Sequence, residues 1–326
     1  MKKKLLGLLC CPKCAGELSC TSNEADEISE GSLECAACSV TYPIEGGIPR
    51  FVDKNNYSSS FGYQWNKFKA EQIDSLNGTN LSAKRFYSET GWTRDWLKGK
   101  WILDAGCGAG RFLDVASQNE CEVVGIDISS AIDASKENLA GRENVHFVQA
   151  SIFDLPFKDG AFDACYCIGV IQHTPNPEKA LASLPRVIRK YGDIAVTIYE
   201  RKPWTYLFSK YWFRPFTKKL SDKTLLKTIE SVMPVAFPVT DVLFRIPLLG
   251  KAFQFVIPVA NYVHEKDLTR KQRYDWAILD TFDMLAPQFD QPQTQTEAES
   301  ALKQNGMTEV KRLPNRGLNL KGIKTK

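Results

Sequence analysis

Three groups of side chains in this chain have the types and spacing that chemistry needs. The first is an acid–glycine–acid series: Asp104, then Gly106, Gly108 and Gly110, then Asp127. Glycines at a strand end let the backbone approach a ligand that a Cβ would exclude. A helix start just beyond them offers free N–H groups, and an acid ending the next strand accepts hydrogen bonds from a ribose diol. Together they describe a seat for an adenosine-containing cofactor. The second group is four cysteines in two hooks, Cys11-Pro-Lys-Cys14 and Cys35-Ala-Ala-Cys38, with 20 residues between them. Thiolates so spaced can surround one Zn²⁺ tetrahedrally. A pair of disulfides is the alternative, and it requires an oxidising compartment. The third is a histidine, His173, following an apolar run and able to act as a general base.

The surrounding sequence supplies the elements that would hold these groups. Trp101-Ile-Leu103 reads as a buried parallel strand ending at Asp104, Arg111–Ser117 as a helix, and Val123–Ile126 as a second strand closed by Asp127. Ser129 or Ser130 is a plausible cap for a helix to Leu139. Val145–Gln149 is a third strand, residues 160–168 a fourth, 177–190 a helix despite Pro185, and Ile194–Tyr199 a fifth strand. This alternation predicts an α/β fold with a doubly wound, mostly parallel sheet. In such sheets ligands sit beyond the carboxyl ends of the strands where strand order reverses, so Ile168 to His173 should face the pocket. Cys165 and Cys167, inside a strand, read as core. Thr296 is expected to cap a helix over 297–304, followed by two closing strands at 308–313 and 317–323.

The glycine spacing narrows the cofactor. Dinucleotide sites use G-x-G-x-x-G around a pyrophosphate; here the spacing is Gly106-x-Gly108-x-Gly110 with a carboxylate two residues ahead, which suits a cationic or amine-bearing ligand. The stretch from Asp104 to Asp127 resembles the first two motifs of class I S-adenosylmethionine-dependent methyltransferases. That resemblance implies a Rossmann-like seven-stranded sheet and S-adenosylmethionine as cofactor, with Asp104, Gly106, Gly108, Gly110, Asp127, Ile128, Ser151, Ile152 and Ile168 as its binding set. The family's third motif usually places an Asp after the third strand; Ser151 stands there, so a charge-assisted bond to the adenine amine is lost. Asp154 reads as the start of the turn before Leu155-Pro156.

Residues 5–52 resemble the small zinc ribbon also found as a separate activator subunit of tRNA and protein methyltransferases, through Leu9-Cys-Cys-Pro-Lys-Cys14, the second hook, Tyr42-Pro-Ile44 and Gly47-Ile-Pro49. The resemblance implies a structural Zn²⁺ on Cys11, Cys14, Cys35 and Cys38, which would supply much of so small a unit's folding energy. Few basic residues lie in the ribbon beyond Lys13 and Arg50.

The expected division is a ribbon over 1–54, a helical segment or lid over 55–99, a cofactor-binding core over 100–200, a helical insertion forming the acceptor site over 201–295, and a closing helix and strands over 296–326. Residues 53–60 read as a linker. Phe61-Gly-Tyr-Gln-Trp-Asn-Lys-Phe68 reads either as a wall over the pocket or as a helix with its aromatics inward; a similar stretch precedes the cofactor motif in some ribbon-bearing methyltransferases. Residues 86–98 read as one helix ended by Gly99. The insertion interleaves basic residues with aromatics over 201–219. That pattern suits nucleic acid, an anionic lipid surface or, most simply, a helical cap whose aromatics make its own core. Asp280 and Asp283 share a face if helical; they would either orient an acceptor or act as a base, or else serve as caps or pair with Arg270 and Arg273.

Net charge is +4 and apolar content 43%, which neither demands nor excludes a nucleic-acid partner and allows a large core. No stretch of 18 uncharged apolar residues occurs, so no transmembrane segment is expected. The apolar run Leu5–Leu9 is too short for a secretory leader, which points to the cytoplasm. Methyl transfer needs mainly alignment; His173 is the best-placed base. The favoured acceptor is a small molecule, lipid precursor or glycan intermediate. RNA or protein docked through the ribbon is a second reading, and a non-catalytic cofactor-binding scaffold a third.

Overall fold

A computed structural model describes residues 1–22, 27–53, 59–315 and 317–325. Residues 54–58 of the expected linker lie outside the described residues. The N-terminal ribbon is an antiparallel sheet ordered β1 (Leu18–Cys20), β2 (Gly31–Cys35), β3 (Thr41–Glu45), β4 (Ile48–Pro49). The main sheet has seven strands: β5 (Trp101–Ala105), β6 (Glu122–Asp127), β7 (Val145–Gln149), β8 (Phe162–Ile168), β9 (Ile188–Ile198), β10 (Met307–Arg312) and β11 (Leu318–Lys324).

Their order is β10-β11-β9-β8-β5-β6-β7. The strands from β9 to β7 are parallel, and β11 and β10 close the sheet antiparallel, as the alternation of apolar runs with helices predicts. The apolar run of β5 leaves Ile102 to Ala105 buried, because helices cover both faces. The chain leaves β5 for β6 and β7, then returns to the other side of β5 as β8, so strand order reverses between β5 and β8. Their carboxyl ends carry Gly106 and Gly169, which open the crevice described below.

The ribbon packs against the β7 edge of this sheet. The Phe51 amide donates to the carbonyl of Gln149, at the end of β7, at 2.8 Å. The Cys10 amide donates to Pro156 O at 3.0 Å and the Lys158 amide to Leu8 O at 2.9 Å. Met1, Leu5 and Leu9 share one buried cluster with Phe157 and Phe162. Arg50 adds hydrogen bonds to Gln149 Oε1 (2.8 Å) and Asp133 Oδ1 (2.7 Å). An unpaired strand edge invites association with other chains; here the ribbon blocks it.

Three local expectations need correction. The 86–98 segment is two helices, Leu81–Thr90 and Arg94–Leu97, because Gly91 takes a left-handed C-cap and Thr93 recaps the chain by accepting from the Trp96 amide. The 177–190 helix stops at Ser183, where Pro185 cannot continue it; β9 then starts early, at Ile188, and accommodates Tyr191 (φ 63°) at an irregularity in its pairing with β8. The last helix, Gln295–Gln304, is capped by Thr294 rather than Thr296, in a capping box with Glu297.

Residues 201–295 are mainly helical, with Lys210–Thr217, Asp222–Leu243, Leu249–Val256 and Arg270–Leu285. The second and last of these build a separate core from Leu225, Leu226, Ile229, Met233, Phe237, Leu279 and Phe282. The aromatics of 204–216 take no part in it; Trp204, Tyr206, Trp212, Phe213 and Phe216 are exposed. The insertion has its own core, built from Leu, Ile, Met and Phe side chains outside the 204–216 cluster.

Candidate active site

A cavity of about 610 Å³ opens at the reversal between β5 and β8, a size suited to a small-molecule site. One wall is the glycine turn. Gly106 (φ 94°) and Gly108 (φ 52°) line it in conformations that disfavour a side chain. A Cβ on Gly106 would lie 2.5 Å from Val170 Cγ2, so this glycine permits β5 and β8 to end side by side. The Gly108 amide donates to Asp127 Oδ2 at 2.9 Å, which locks the turn after β5 to the end of β6. Asp127 Oδ1 accepts from the Ser129 amide (2.8 Å) and hydroxyl (2.6 Å). Of about four acceptor positions on a carboxylate, one on Oδ2 stays available for a ribose hydroxyl. Burial raises the Asp127 carboxyl, and these three donors pull it back.

Ile128, Ile152 and Ile168 line the same cavity, beside Ala150 and Ile126. Three residues expected in the binding set lie behind its wall. Asp104 is buried, and its Oδ2 accepts from the Tyr166 hydroxyl at 3.0 Å; burial pushes its carboxyl well above the ordinary range. Its side chain props the strand end from below. Gly110 gives helix-packing room: a Cβ there would meet Ser135 Oγ at 2.6 Å. The Ser151 hydroxyl accepts from the Phe153 amide at 3.1 Å, which caps a local turn.

A polar part of the cavity lining comes from elements far apart in sequence. His173, on the short helical turn Ile171–His173 after β8, is buried and lines the cavity. Its ring packs against Phe61 and Tyr199, with centroids 5.3 and 5.5 Å away. Asp280 and Asp283, on helix Arg270–Leu285, line the same cavity, as do Tyr262 and Glu265. Arg273 pairs with Asp241 instead of these carboxylates. Gln72 bridges the two walls: its Oε1 accepts from Arg111 Nη1 at 2.7 Å and its Nε2 donates to Asp280 Oδ1 at 3.3 Å. Burial and the neighbouring Asp283 raise the Asp280 carboxyl to about 7. Burial also holds Asp283 above its ordinary value, with the charges of His173 and Lys210 opposing it.

Helix Ser59–Lys67 roofs the cavity, with Phe61 and Trp65 in its wall. Trp65 Nε1 lies 3.3 Å from where a Gly108 Cβ would be, so the tryptophan covers the turn. Tyr199, Tyr262, Glu265, Arg85 and Arg111 were not singled out from the sequence; no local motif marks them, and only the fold gathers them.

The four hook cysteines converge. Their Sγ atoms all lie within 4.8 Å of one another, with Cys11–Cys38 at 3.6 Å and Cys14–Cys35 at 3.4 Å. Those are non-bonded distances, far above the roughly 2.05 Å of a disulfide. They match the edges of about 3.8 Å of a tetrahedron with Zn–S bonds of about 2.3 Å. The Tyr42 hydroxyl lies 3.3 Å from Cys11 Sγ as an outer partner. The donor set therefore fits Zn²⁺.

Comparison with known proteins agrees with both halves. Residues 103–196 match the methyltransferase domain family, and residues 2–47 match the Trm112p-like protein family. A ubiquinone biosynthesis O-methyltransferase of Alkalilimnicola ehrlichii is 31% identical over 116 residues, covering 35% of this chain and 47% of that protein. An O-methyltransferase of Aspergillus nomiae is 29% identical over 121 residues, 36% of this chain and 54% of that one. The match thus spans only about half the length of these curated relatives. A solved SAM-dependent methyltransferase from Aquifex aeolicus is 14% identical, with a TM-score of 0.41 over 83% of this chain and 98% of that one. The chain carries a class I S-adenosylmethionine-dependent methyltransferase domain behind a Trm112-like ribbon.

Proposed function

We propose that this chain, a methyltransferase domain fused to a Trm112-like ribbon, transfers a methyl group from S-adenosylmethionine to an oxygen of a small or lipid-like acceptor. The single observation that carries this reading is that one cavity is lined both by the glycine turn with Asp127 and by His173, Asp280 and Asp283. Gly106, Gly108, Asp127, Ile128, Ile152 and Ile168 would hold the donor, which supplies an activated methyl group on a sulfonium.

The acceptor would lie between the turn and the insertion, under Phe61 and Trp65. Displacement at a methyl group needs alignment above all, and proximity can be worth about 7–11 kcal/mol. A hydroxyl acceptor must also lose its proton. The Nδ1 of His173 faces the Phe289 carbonyl oxygen at 3.1 Å; a carbonyl only accepts, so Nδ1 carries the hydrogen and Nε2 the lone pair. His173 then takes the acceptor proton at Nε2, and Asp283 stabilises the resulting cation. The O-methyltransferase relatives support an oxygen acceptor. The ribbon holds one structural Zn²⁺ and serves as cover for the β7 edge; its placement there favours a small acceptor over a macromolecule docked through the ribbon.

The test is incubation of the full chain with methyl-labelled S-adenosylmethionine and fractionated cell extract. Label entering an organic-soluble or small-molecule fraction, and lost on His173→Gln, is the expected result. Label confined to RNA or protein would contradict it.

A further inference from the structure

The insertion exposes an apolar surface that its own core does not use. Trp212 and Phe216 on helix Lys210–Thr217 are 53% and 72% exposed. Helix Asp222–Leu243 buries Leu226, Met233 and Phe237 on one side and presents Val232, Val235, Val239 and Val242 on another. That spacing of three, four and three residues makes a second apolar stripe. Leu248 projects 95% exposed from the turn before helix Leu249–Val256, at φ 65°, a backbone state that leucine disfavours. A strained, wholly exposed leucine gains nothing in water.

These segments are joined. Phe208, next to helix Lys210–Thr217, packs on Phe255 with centroids 4.3 Å apart, and the Ser209 amide donates to Phe255 O at 3.1 Å. Gly250 sits so close to the Phe244 carbonyl that a Cβ would lie 2.3 Å from its oxygen. The three helices therefore form one body.

Charge says what covers it. Residues 201–256 hold ten Lys and Arg against three Asp and Glu; Arg201, Lys202 and Lys210 pair with Glu297, Glu200 and Asp290 outside this stretch, and exposed lysines supply the remaining excess. Lys218, Lys219, Lys223 and Lys251 are exposed among the apolar groups. Basic residues beside Trp, Phe and Leu suit an anionic bilayer surface. Nucleic acid would use the aromatics but has no use for a valine stripe or a projecting leucine. No described helix is long and apolar enough to cross a membrane, so the contact is interfacial.

We propose that the 204–256 surface docks on anionic lipid bilayers. The same insertion walls the cavity: Lys210 Nζ lies 4.7 Å from the ring centroid of Tyr199, and Ala260, just past helix Leu249–Val256, lines the site. A docked enzyme would thus hold its acceptor end near the lipid, although docking itself does not depend on the proposed reaction.

The experiment is sedimentation of the full chain with phosphatidylcholine vesicles, with and without phosphatidylglycerol, at low and high salt. Binding to the anionic vesicles that weakens with salt is expected, with a loss of roughly tenfold or more in Leu248→Glu/Phe216→Glu, since one buried apolar side chain is worth that much. Lys218→Glu/Lys219→Glu should reduce binding at low salt. All four positions are exposed, and circular dichroism checks that the variants stay folded. Equal binding to neutral and anionic vesicles, no binding to either, or binding unchanged in both variants overturns the proposal. So does self-association in sizing experiments, or retention of tRNA, abolished by the same substitutions without vesicle binding.

Discussion

The Nδ1 of His173 lies 3.1 Å from the main-chain oxygen of Phe289. This bond reaches from the end of β8 to the segment following the last helix of the insertion, and it fixes which ring nitrogen can accept a proton. Replacing His173 by Gln removes that proton acceptor. A general base is typically worth about 10²–10⁴-fold in rate. The turnover number should fall by that order, while the affinity for S-adenosylmethionine measured by calorimetry stays within about threefold of the parent. Equal loss of both would mark His173 as a structural residue.

Asp280 links pH to stability. Its folded-state value of about 7 stands above the ordinary 3.8. Between those values the folded chain holds more protons than the unfolded chain, so this group's contribution to stability falls as pH rises through that window. Asp280→Asn removes the contribution. Urea unfolding at about pH 5 and about pH 7.5 should show the variant gaining on the parent at the higher pH. A difference that does not change with pH would contradict the assignment.

Metal removal should be felt beyond the ribbon. The preparation should contain about one zinc per chain, and Cys35→Ser should release it. Because Leu5 and Leu9 share a cluster with Phe157 and Phe162, loss of the ribbon uncovers part of the main core. Chelation should therefore lower the melting temperature of the whole chain, followed by calorimetry. A metal-free ribbon with disulfides, detected by mass spectrometry, would contradict this.

Much of this was legible in the sequence where local chemistry dictates structure. The apolar runs ending in Asp104 and Asp127 are strands because buried parallel strands need continuous apolar residues, and the two cysteine hooks can converge on one metal whatever lies between them. The sequence could not say which groups near the turn face the cavity. Asp104 and Ser151 occupy motif positions, yet a tyrosine hydroxyl from β8 and a local turn engage them. Glu265 and Tyr262 enter the site only because the insertion folds back over β8, a tertiary fact with no local mark. The 204–216 aromatics resembled a small core by composition; their exposure follows because Leu226, Met233, Phe237 and Phe282 already fill that core.

Gly106 tests the turn by sterics alone. Alanine there would place a Cβ 2.5 Å from Val170 Cγ2 at φ 94°, so either the turn or β8 must move. Gly106→Ala should abolish the thermal stabilisation that S-adenosylmethionine gives the parent. Adding Val170→Ala removes the two nearest atoms but leaves a Cβ 3.0 Å away and the backbone strain, and should recover only part of it. Full stabilisation of the single variant by the donor would mean that the turn is not its seat.

The most direct measurement is a calorimetric titration of S-adenosylmethionine into the full chain and into Asp127→Ala. One site per chain is expected in the parent. In the variant, loss of a charge-assisted hydrogen bond worth about 1.5–3 kcal/mol should weaken it by roughly tenfold or more. No binding to the parent, or the same affinity in both proteins, would contradict it.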